Sequence, residues 1–393
     1  MDHSFIVGAR RTAIGRYGEA LRDVPLRTLA ATAIKAALEH AAVAPEAIEE
    51  VVMGNVVQAG QNGVARSAAL DAGILPAATV WTINHACASG MSAISQADRM
   101  IRLGERDLLV SGGFESMSSI PFLSKSTRWG ARFGHAELED ELKTGLTCHY
   151  CGLGMGETAE NVARRHNITR EEQDEWALRS QNGALAAIEA GRFKEEIVPI
   201  PIPQRKGDPI IFDTDEHPRQ TSLEQLGKLK PAFVTDGTGT VTAGNASGIN
   251  DGAAAVVVAS RRAVEQHNLK PLARILSSAN TGIEPEIMGL GPVLAIQEVL
   301  AKAKLQIEDI DLFEINEAFA AQVLGVLREV AIPREKLNVN GSGIALGHPV
   351  GCTGARVIVS LLHEMKQRNA RYGLASVCVG GGMGAAMIVE RIA

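Results

Sequence analysis

An α/β fold made of two duplicated domains, with a third segment inserted between them, is the architecture this 393-residue chain predicts. Strand-like runs alternate with helical periodicities, the alternation occurs in both the N- and C-terminal thirds, and the stretch between is richer in charge, Pro and polar turns.

In chain order, Leu26, Leu29, Ala30, Ala33, Ile34, Ala37 and Leu38 recur at helical spacing. The β-branched pair Val51-Val52 follows, ahead of Gly54-Asn55, so a helix leads to a buried strand. "VWTINHA" reads as a strand, Met91, Ile94, Ala97 and Ile101 mark one helix face, and Asp107 to Val110 forms a strand running into the glycines of "SGGFES". Thr169-Arg170-Glu171-Glu172 is a capping box opening a long helix that ends near Gly191, and "IVPIPIP" is an extended edge segment. After Asn250-Asp251-Gly252, the apolar run Ala253 to Ala259 returns the chain to the first sheet. The last third predicts a helix on Val293, Ile296, Val299 and Leu300, a strand at "DLFEI", a helix from Ala318 to Val330, a strand at "LNVN", a helix from Ala355 to Met365, and a strand in "YGLASVCVGGG". Strand-helix-strand units of this kind argue for a mostly parallel sheet covered by helices.

The two thirds also match in punctuation: "VVMGN" with "LFEINE", "INHACASG" with "VNGSGIALGHPVGCTG", and "LLVSGGFES" with "ASVCVGGGMG". An ordered repeat offset by roughly 260 residues is too long for a solenoid and suits duplicated domains. The expected limits are 1–118 plus 248–269 for the first domain, 119–247 for the insertion and 270–393 for the second.

Composition narrows the function. Hydrophobic residues at 46% and charged residues at 21% are ordinary for a globular protein, and much of the apolar share is Ala and Gly, so helices are expected to pack closely on the sheet. A net charge of −6 with no long run of either sign excludes a bulk nucleic-acid or membrane-surface partner and leaves room for an anionic small molecule at a local basic patch. No segment approaches a membrane span and the first residues lack a signal-peptide core, so the cytoplasm is the expected location. Five cysteines, an odd and sparse set, do not make a disulfide framework.

One of them, Cys87 in "INHACASGM", lies among residues too small to hide it. A lone cysteine is more often a small buried hydrophobe than a catalyst. Here the strand ends near His85 and the helix begins near Ser89, so Cys87 is expected at a helix N-terminus, where free N–H groups favour a thiolate. His348 in "GHPVGCTGAR" is either a turn histidine or a pocket group able to take a thiol proton. Cys378 in "CVGGGMG" is core or a ligand-facing thiol, since it ends a strand where open α/β sheets place ligands, and the N–H groups of Gly380 to Gly382 suit an oxyanion. Asn316 in "NEAFA" is an N-cap or an amide that holds an oxyanion or water.

Taken in order, "NHACASGM", "GNASGINDGAA", "NEAFA", "GHPVGCTGAR" and "CVGGGMG" resemble the thiolases, the acetyl-CoA C-acyltransferases, across residues 84 to 384. The resemblance implies duplicated α/β domains in a five-layer αβαβα core, with an inserted loop domain over the coenzyme A pocket. It implies that Cys87 accepts the acyl group, that His348 activates it, and that Cys378 exchanges the proton at carbon. Asn316, through a bound water, would complete one oxyanion site with His348, and the N–H groups of Cys87 and Gly380 a second. Ser247 would lie near the pantetheine, Arg219 near the adenosine phosphates, and Leu146, Ala232, Phe233 and Ala243 along the cleft; Met155, Met288 and Phe319 match positions near the acyl end, where plain apolar packing is the alternative. Acetyl-CoA, coenzyme A and 3-ketoacyl-CoA are the implied substrates and products, with no metal and no tightly bound cofactor, in a homodimer or homotetramer.

Two departures stand out. Gly154 occupies the place where acetoacetyl-specific members often carry a His before the pocket Met, which opens the way to a broader-chain 3-ketoacyl-CoA thiolase. Cys148-His149-Tyr150-Cys151 raises a rival of another class, a redox or metal site, although one pair cannot complete a tetrahedral zinc site. Ketoacyl synthases and hydroxymethylglutaryl-CoA synthases are the related condensing alternatives, and the second cysteine, Cys378, favours a thiolase over them. A non-catalytic binding protein on the same fold is the remaining alternative.

Overall fold

The computed structural model describes residues 3–57 and 62–392. Its principal strands are β1 (Phe5–Thr12), β2 (Glu50–Gly54), β3 (Thr79–Ile83), β4 (Leu108–Ser116), β5 (Asn250–Ala259), β6 (Ala273–Gly282), β7 (Leu312–Ile315), β8 (Tyr372–Val379) and β9 (Met383–Arg391). They pair in the order β7-β8-β9-β6-β1-β5-β4-β2-β3, and the short segments Gly15–Arg16 and Ile197–Val198 add to β5 and β1, giving eleven strands among the described residues. The repeat read from the sequence is visible in this order. In the first half β2 runs parallel to β4, β4 antiparallel to β5 and β5 antiparallel to β1; in the second, β7, β8, β9 and β6 repeat the same three relations. Within the sheet, the strands of the two halves pair where Phe5 and Ile6 meet Arg274 and Ala273.

The sheet is therefore mixed, not mostly parallel as the strand-helix alternation suggested. Antiparallel ladders arise where the chain reverses without a crossover helix. The turn from β8 to β9 spans only Gly380 to Gly382, with Gly381 and Gly382 at φ of +89° and +85°, a region open mainly to glycine. A second correction concerns "LNVN", which forms no strand. Asn338 takes a φ of +47°, and its side chain replaces the missing ladder, accepting from Ile315 N at 2.8 Å and donating to Ile315 O at 2.9 Å.

The helices that build the layers are α1 (Leu26–Ala41), α2 (Val64–Asp71), α3 (Ser89–Arg102), α4 (Met155–Arg165), α5 (Arg170–Glu189), α6 (Gly291–Ala303), α7 (Ala320–Glu329) and α8 (Val350–Arg368). Three apolar cores separate five layers. α1 and α2 cover one face of the first half through Leu29, Ile34, Val51, Val110 and Val257. α3 and α8 lie between the halves among Met91, Ile94, Val256, Val357, Ile358 and Val377. α6 and α7 cover the far face through Val293, Ile296, Val323, Leu374 and Ile388. Val256 and Val257, adjacent on β5, face different cores, which is why that strand reads as a continuous apolar run.

In the middle layer α8 is buried on all sides from Val350 to Met365. A Cβ on Gly90 would lie 2.7 Å from Ala355 N, and one on Gly354 would lie 2.5 Å from Met91 N, so α3 and α8 meet backbone to backbone. The Ala- and Gly-rich composition is used here. α5 begins at the predicted capping box, with Thr169 accepting from Glu172 N at 3.2 Å and Glu172 accepting from Thr169 N at 2.9 Å. No helix among the described residues is long and apolar enough to cross a membrane.

Candidate active site

β3 ends at Ile83 and α3 starts at Ser89, and the turn between them presents Cys87. Ser89 holds the turn: its hydroxyl donates to Ala86 O at 2.6 Å and accepts from His85 N at 2.9 Å. Ala86 takes a φ of +41°, uncommon for a residue with a Cβ and typical of a conformation its surroundings impose. The half-buried Cys87 opens on a narrow apolar cavity lined by Val57, Met117, Ile120, Leu142, Leu146, Met155 and Gly380.

Burial pushes the Cys87 thiol up to about 11, against the pull of the N–H groups of Gly380 and of Cys87 itself, while the Glu115 charge adds to the rise. The resting group is a neutral thiol. The start of α3 does not offset the loss of water, contrary to the thiolate expected from the helix N-terminus. Cys87 and Gly380, whose amides the sequence assigned to an oxyanion site, line the same cavity. Cys378, fully buried on β8, is near enough for the Cys87 charge to add to the burial that holds its own thiol well above the ordinary range.

His348 lies in the loop before α8 and is buried; Val350, two residues on, lines the cavity, and His348 does not. Its Nδ1 lies 2.7 Å from Thr353 Oγ1. The Thr353 hydroxyl proton is directed to Pro349 O at 2.9 Å, so Oγ1 accepts and Nδ1 carries the ring proton. Nε2 is left with its lone pair, and Asn316 Nδ2 lies beside the ring, 3.4 Å from Nε2 and 3.5 Å from Nδ1. Burial, reinforced by the Arg356 charge, holds the imidazole down at about 3, so it is neutral near pH 7 and able to accept a proton. Asn250 Oδ1 accepts from His348 N at 3.0 Å and fixes the loop.

The remaining predicted residues fall into two groups. Leu146 and Met155 line the cavity. Met288 and Phe319 do not; both are buried in the outer core of the second half, and Phe319 meets the half-exposed Phe233 edge to face, with ring centroids 5.9 Å apart. Ala232 N donates to Val241 O at 2.9 Å, and Ser247 N donates to Ala318 O, also at 2.9 Å, one residue before Phe319. Arg219 donates to Ala243 O at 3.4 Å, and its half-buried guanidinium is held below its ordinary value by burial and by the Arg16 charge. A phosphate placed there would relieve that repulsion. In the Cys148-to-Cys151 turn, Gly152 N donates to Cys148 O at 2.8 Å, and both cysteines are free thiols. Among the described residues no three His, Cys, Asp or Glu side chains converge as a metal nest, so the metal rival has no ligand set there.

Comparison with known proteins decides the family. Residues 4–262 match the thiolase N-terminal domain and 269–391 the thiolase C-terminal domain. The chain belongs to the thiolase family. It is 52% identical to an acetyl-CoA acetyltransferase of Chromobacterium violaceum over 98% of this chain and 99% of that one. It is 51% identical to the acetyl-CoA acetyltransferase of Cupriavidus necator over the full length of both. Its fold is similar to the crystal structure of the Bacillus anthracis acetyl-CoA acetyltransferase, with a TM-score of 0.97 at 47% identity over 100% and 99% of the two chains. It is also similar to human mitochondrial 3-ketoacyl-CoA thiolase in complex with CoA, with a TM-score of 0.96 at 45% identity over 100% and 98%.

Three residues in this thiolase site escaped the sequence reading: Thr353, Asn250 and Glu115. Thr353 sits in "GHPVGCTGAR", five residues after His348, and once that segment is read as a loop entering a helix the hydroxyl falls beneath the ring. Asn250, the first residue of β5, lies in the motif "GNASGINDGAA" and in the turn signal Asn250-Asp251-Gly252, and neither marks its contact with the His348 loop. Glu115 in "SGGFES" has backbone partners distant in sequence, which no local pattern exposes.

Proposed function

We propose that this protein is an acetyl-CoA C-acyltransferase that reversibly condenses two acetyl-CoA into acetoacetyl-CoA and thiolyses short 3-ketoacyl-CoA through a Cys87 acyl-enzyme. The presence of Cys87 and Gly380 on one narrow apolar cavity is the observation that carries this reading.

Burial penalises the Cys87 thiolate and the His348 imidazolium alike. Proton transfer from Sγ to Nε2 therefore accompanies attack on the thioester carbonyl and does not precede it. Once protonated, Nε2 becomes a donor, and with Asn316 and a bound water it holds one developing oxyanion, while the N–H groups of Cys87 and Gly380 hold the other. The leaving CoA thiolate takes the proton from Nε2 and departs as CoA, and Cys87 keeps the acetyl group. For condensation, the Cys378 thiol first yields its proton to the freed Nε2; the thiolate so formed removes a proton from the α-carbon of a second acetyl-CoA, the enolate carbon attacks acetyl-Cys87, and the Cys87 sulfur leaves with the proton held on Nε2. Thiolysis runs the same steps backwards, so the kinetics are ping-pong.

Coenzyme A is a substrate, with Arg219 toward its phosphates, Ser247 beside the pantetheine, and Leu146, Ala232, Phe233 and Ala243 along the cleft. Met288 and Phe319 back the acyl end from the core, behind Met155. The domain division at 118, 247 and 269, a cytoplasmic homodimer or homotetramer, and the lack of any resident cofactor complete the proposal. A broader-chain 3-ketoacyl-CoA thiolase is the second reading, favoured by the wholly apolar cavity wall and by Gly154 before Met155. Thiolysis measured from four-carbon to long-chain 3-ketoacyl-CoA separates the two: a collapse of kcat/KM beyond four carbons supports the acetoacetyl enzyme, a flat or rising series supports the second, and no thiolysis of any chain length overturns both.

A further inference from the structure

Glu115, the penultimate residue of β4, is fully buried, and no salt bridge among the described residues pairs it with a cation. Its carboxylate is instead saturated by N–H donors. Oε1 accepts from Asn55 Nδ2 at 2.8 Å and Val57 N at 3.1 Å; Oε2 accepts from Val56 N at 3.0 Å and Gly351 N at 2.9 Å.

The donors belong to separate parts of the site. Val56 and Val57 form one wall of the acyl cavity, and the N–H of Asn55 donates to Ile83 O at 3.0 Å, where β3 turns toward Cys87. Gly351 lies in the first turn of α8, three residues after His348, and Val350 beside it forms part of the cavity wall. The fit is close: a Cβ on Gly351 would stand 2.6 Å from Glu115 Oε2 and 2.9 Å from Asn55 Cα. One carboxylate thus joins the Cys87 side of the site to the His348 side. Burial raises the Glu115 carboxyl to about 7, against the pull of these four N–H donors, which favour its charged form.

We propose that Glu115 is a positioning residue for the reaction, holding Cys87 and His348 in register by clamping the Asn55–Val57 loop to the first turn of α8. This rests on the proposed roles of Cys87 and His348. The Glu115 charge is also the smallest of the influences on the Cys87 thiol, adding to its rise.

Two variants test the clamp. In Glu115→Gln the amide nitrogen must replace one oxygen, so two of the N–H donors lose their acceptor whichever way the amide turns. In Glu115→Asp the charge stays, but the shorter side chain cannot span both the loop and the helix. For each, kcat for acetoacetyl-CoA thiolysis is expected to fall about 100-fold, the cost of a misplacement near 1 Å, with KM for CoA changed by no more than about threefold because the Arg219 region is untouched. Alkylation of Cys87 by iodoacetamide separates charge from position: its pH midpoint moves down in the Gln variant and stays in the Asp variant. A plain fold-stabilising role predicts a lower melting temperature with wild-type kcat and midpoint in the folded protein. A folded variant with kcat within about twofold of wild type overturns the proposal. If the Gln variant does not fold, the Asp variant decides by the same criterion. The alkylation measurement needs no substrate, so in a protein that cleaves no acetoacetyl-CoA, where the proposed function itself would have failed, a Cys87 alkylation rate above the midpoint that is the same in Glu115→Asp and wild type counts against the clamp.

Discussion

Replacing Thr353 by Val keeps the shape of a fully buried side chain and removes the one acceptor of His348 Nδ1–H. The ring proton then has no partner at 2.7 Å, and the tautomer that leaves Nε2 free loses its advantage. Leaving a buried donor unsatisfied costs roughly 1–3 kcal/mol, and if that cost falls on the catalytic tautomer, kcat drops by about 5- to 150-fold. The assay is steady-state thiolysis of acetoacetyl-CoA with CoA varied. KM for CoA should hold, and Thr353→Ser, which restores the hydroxyl, should recover most of the rate. A Thr353→Val protein with wild-type kcat would refute the tautomer assignment, because nothing else in the site fixes which ring nitrogen carries the proton.

Three further outcomes follow from the same geometry. Cys378→Ala should still release CoA from acetyl-CoA and acylate Cys87, yet lose hydrogen exchange at the acetyl carbon in deuterated water; normal exchange would remove Cys378 from its role. Gly90→Ala forces a Cβ to within 2.7 Å of Ala355 N, so the melting temperature should fall by the equivalent of about 1–3 kcal/mol, and an unchanged value would mean that α3 and α8 separate at little cost. Burial holds His40 and His217 at about 4 against an ordinary 6.5. The unfolded chain therefore binds protons that the native chain does not over that interval, and stability falls as the pH drops from about 6.5 to 4; thermal melts of a His40→Asn/His217→Asn variant should show a flatter acid limb than wild type.

Much of the fold was legible because its repeat is written in strand ends and glycine-rich turns: Cys87, Asn316 and Cys378 lie at or just after strand ends, and His348 lies in a glycine-bounded loop before a helix. What stayed hidden was hidden for physical reasons. β1 carries Arg10-Arg11 and looks like surface, yet Arg11 is buried because Glu196 and Asp215, far along the chain, pair with it at 2.6 and 2.7 Å. "LNVN" has strand composition, but the Asn338 amide does a strand's hydrogen bonding from a left-handed turn. Met288 resembled a pocket residue and is core, since apolar side chains carry no mark of whether the space beside them is filled. The neutral resting state of Cys87 was misjudged from its place at a helix start, because the depth of burial around a thiol is a tertiary property.

The central claim is that Cys87 carries the acyl group. Incubation of the protein with acetyl-CoA, followed by an acid quench and peptide mass spectrometry, tests it most directly. The predicted result is one acetyl group per chain, on the Cys87 peptide, with an equal amount of CoA released and the label discharged when CoA is added back. Acetyl-CoA turnover with Cys87 unmodified, or with the label on Cys378, would contradict it.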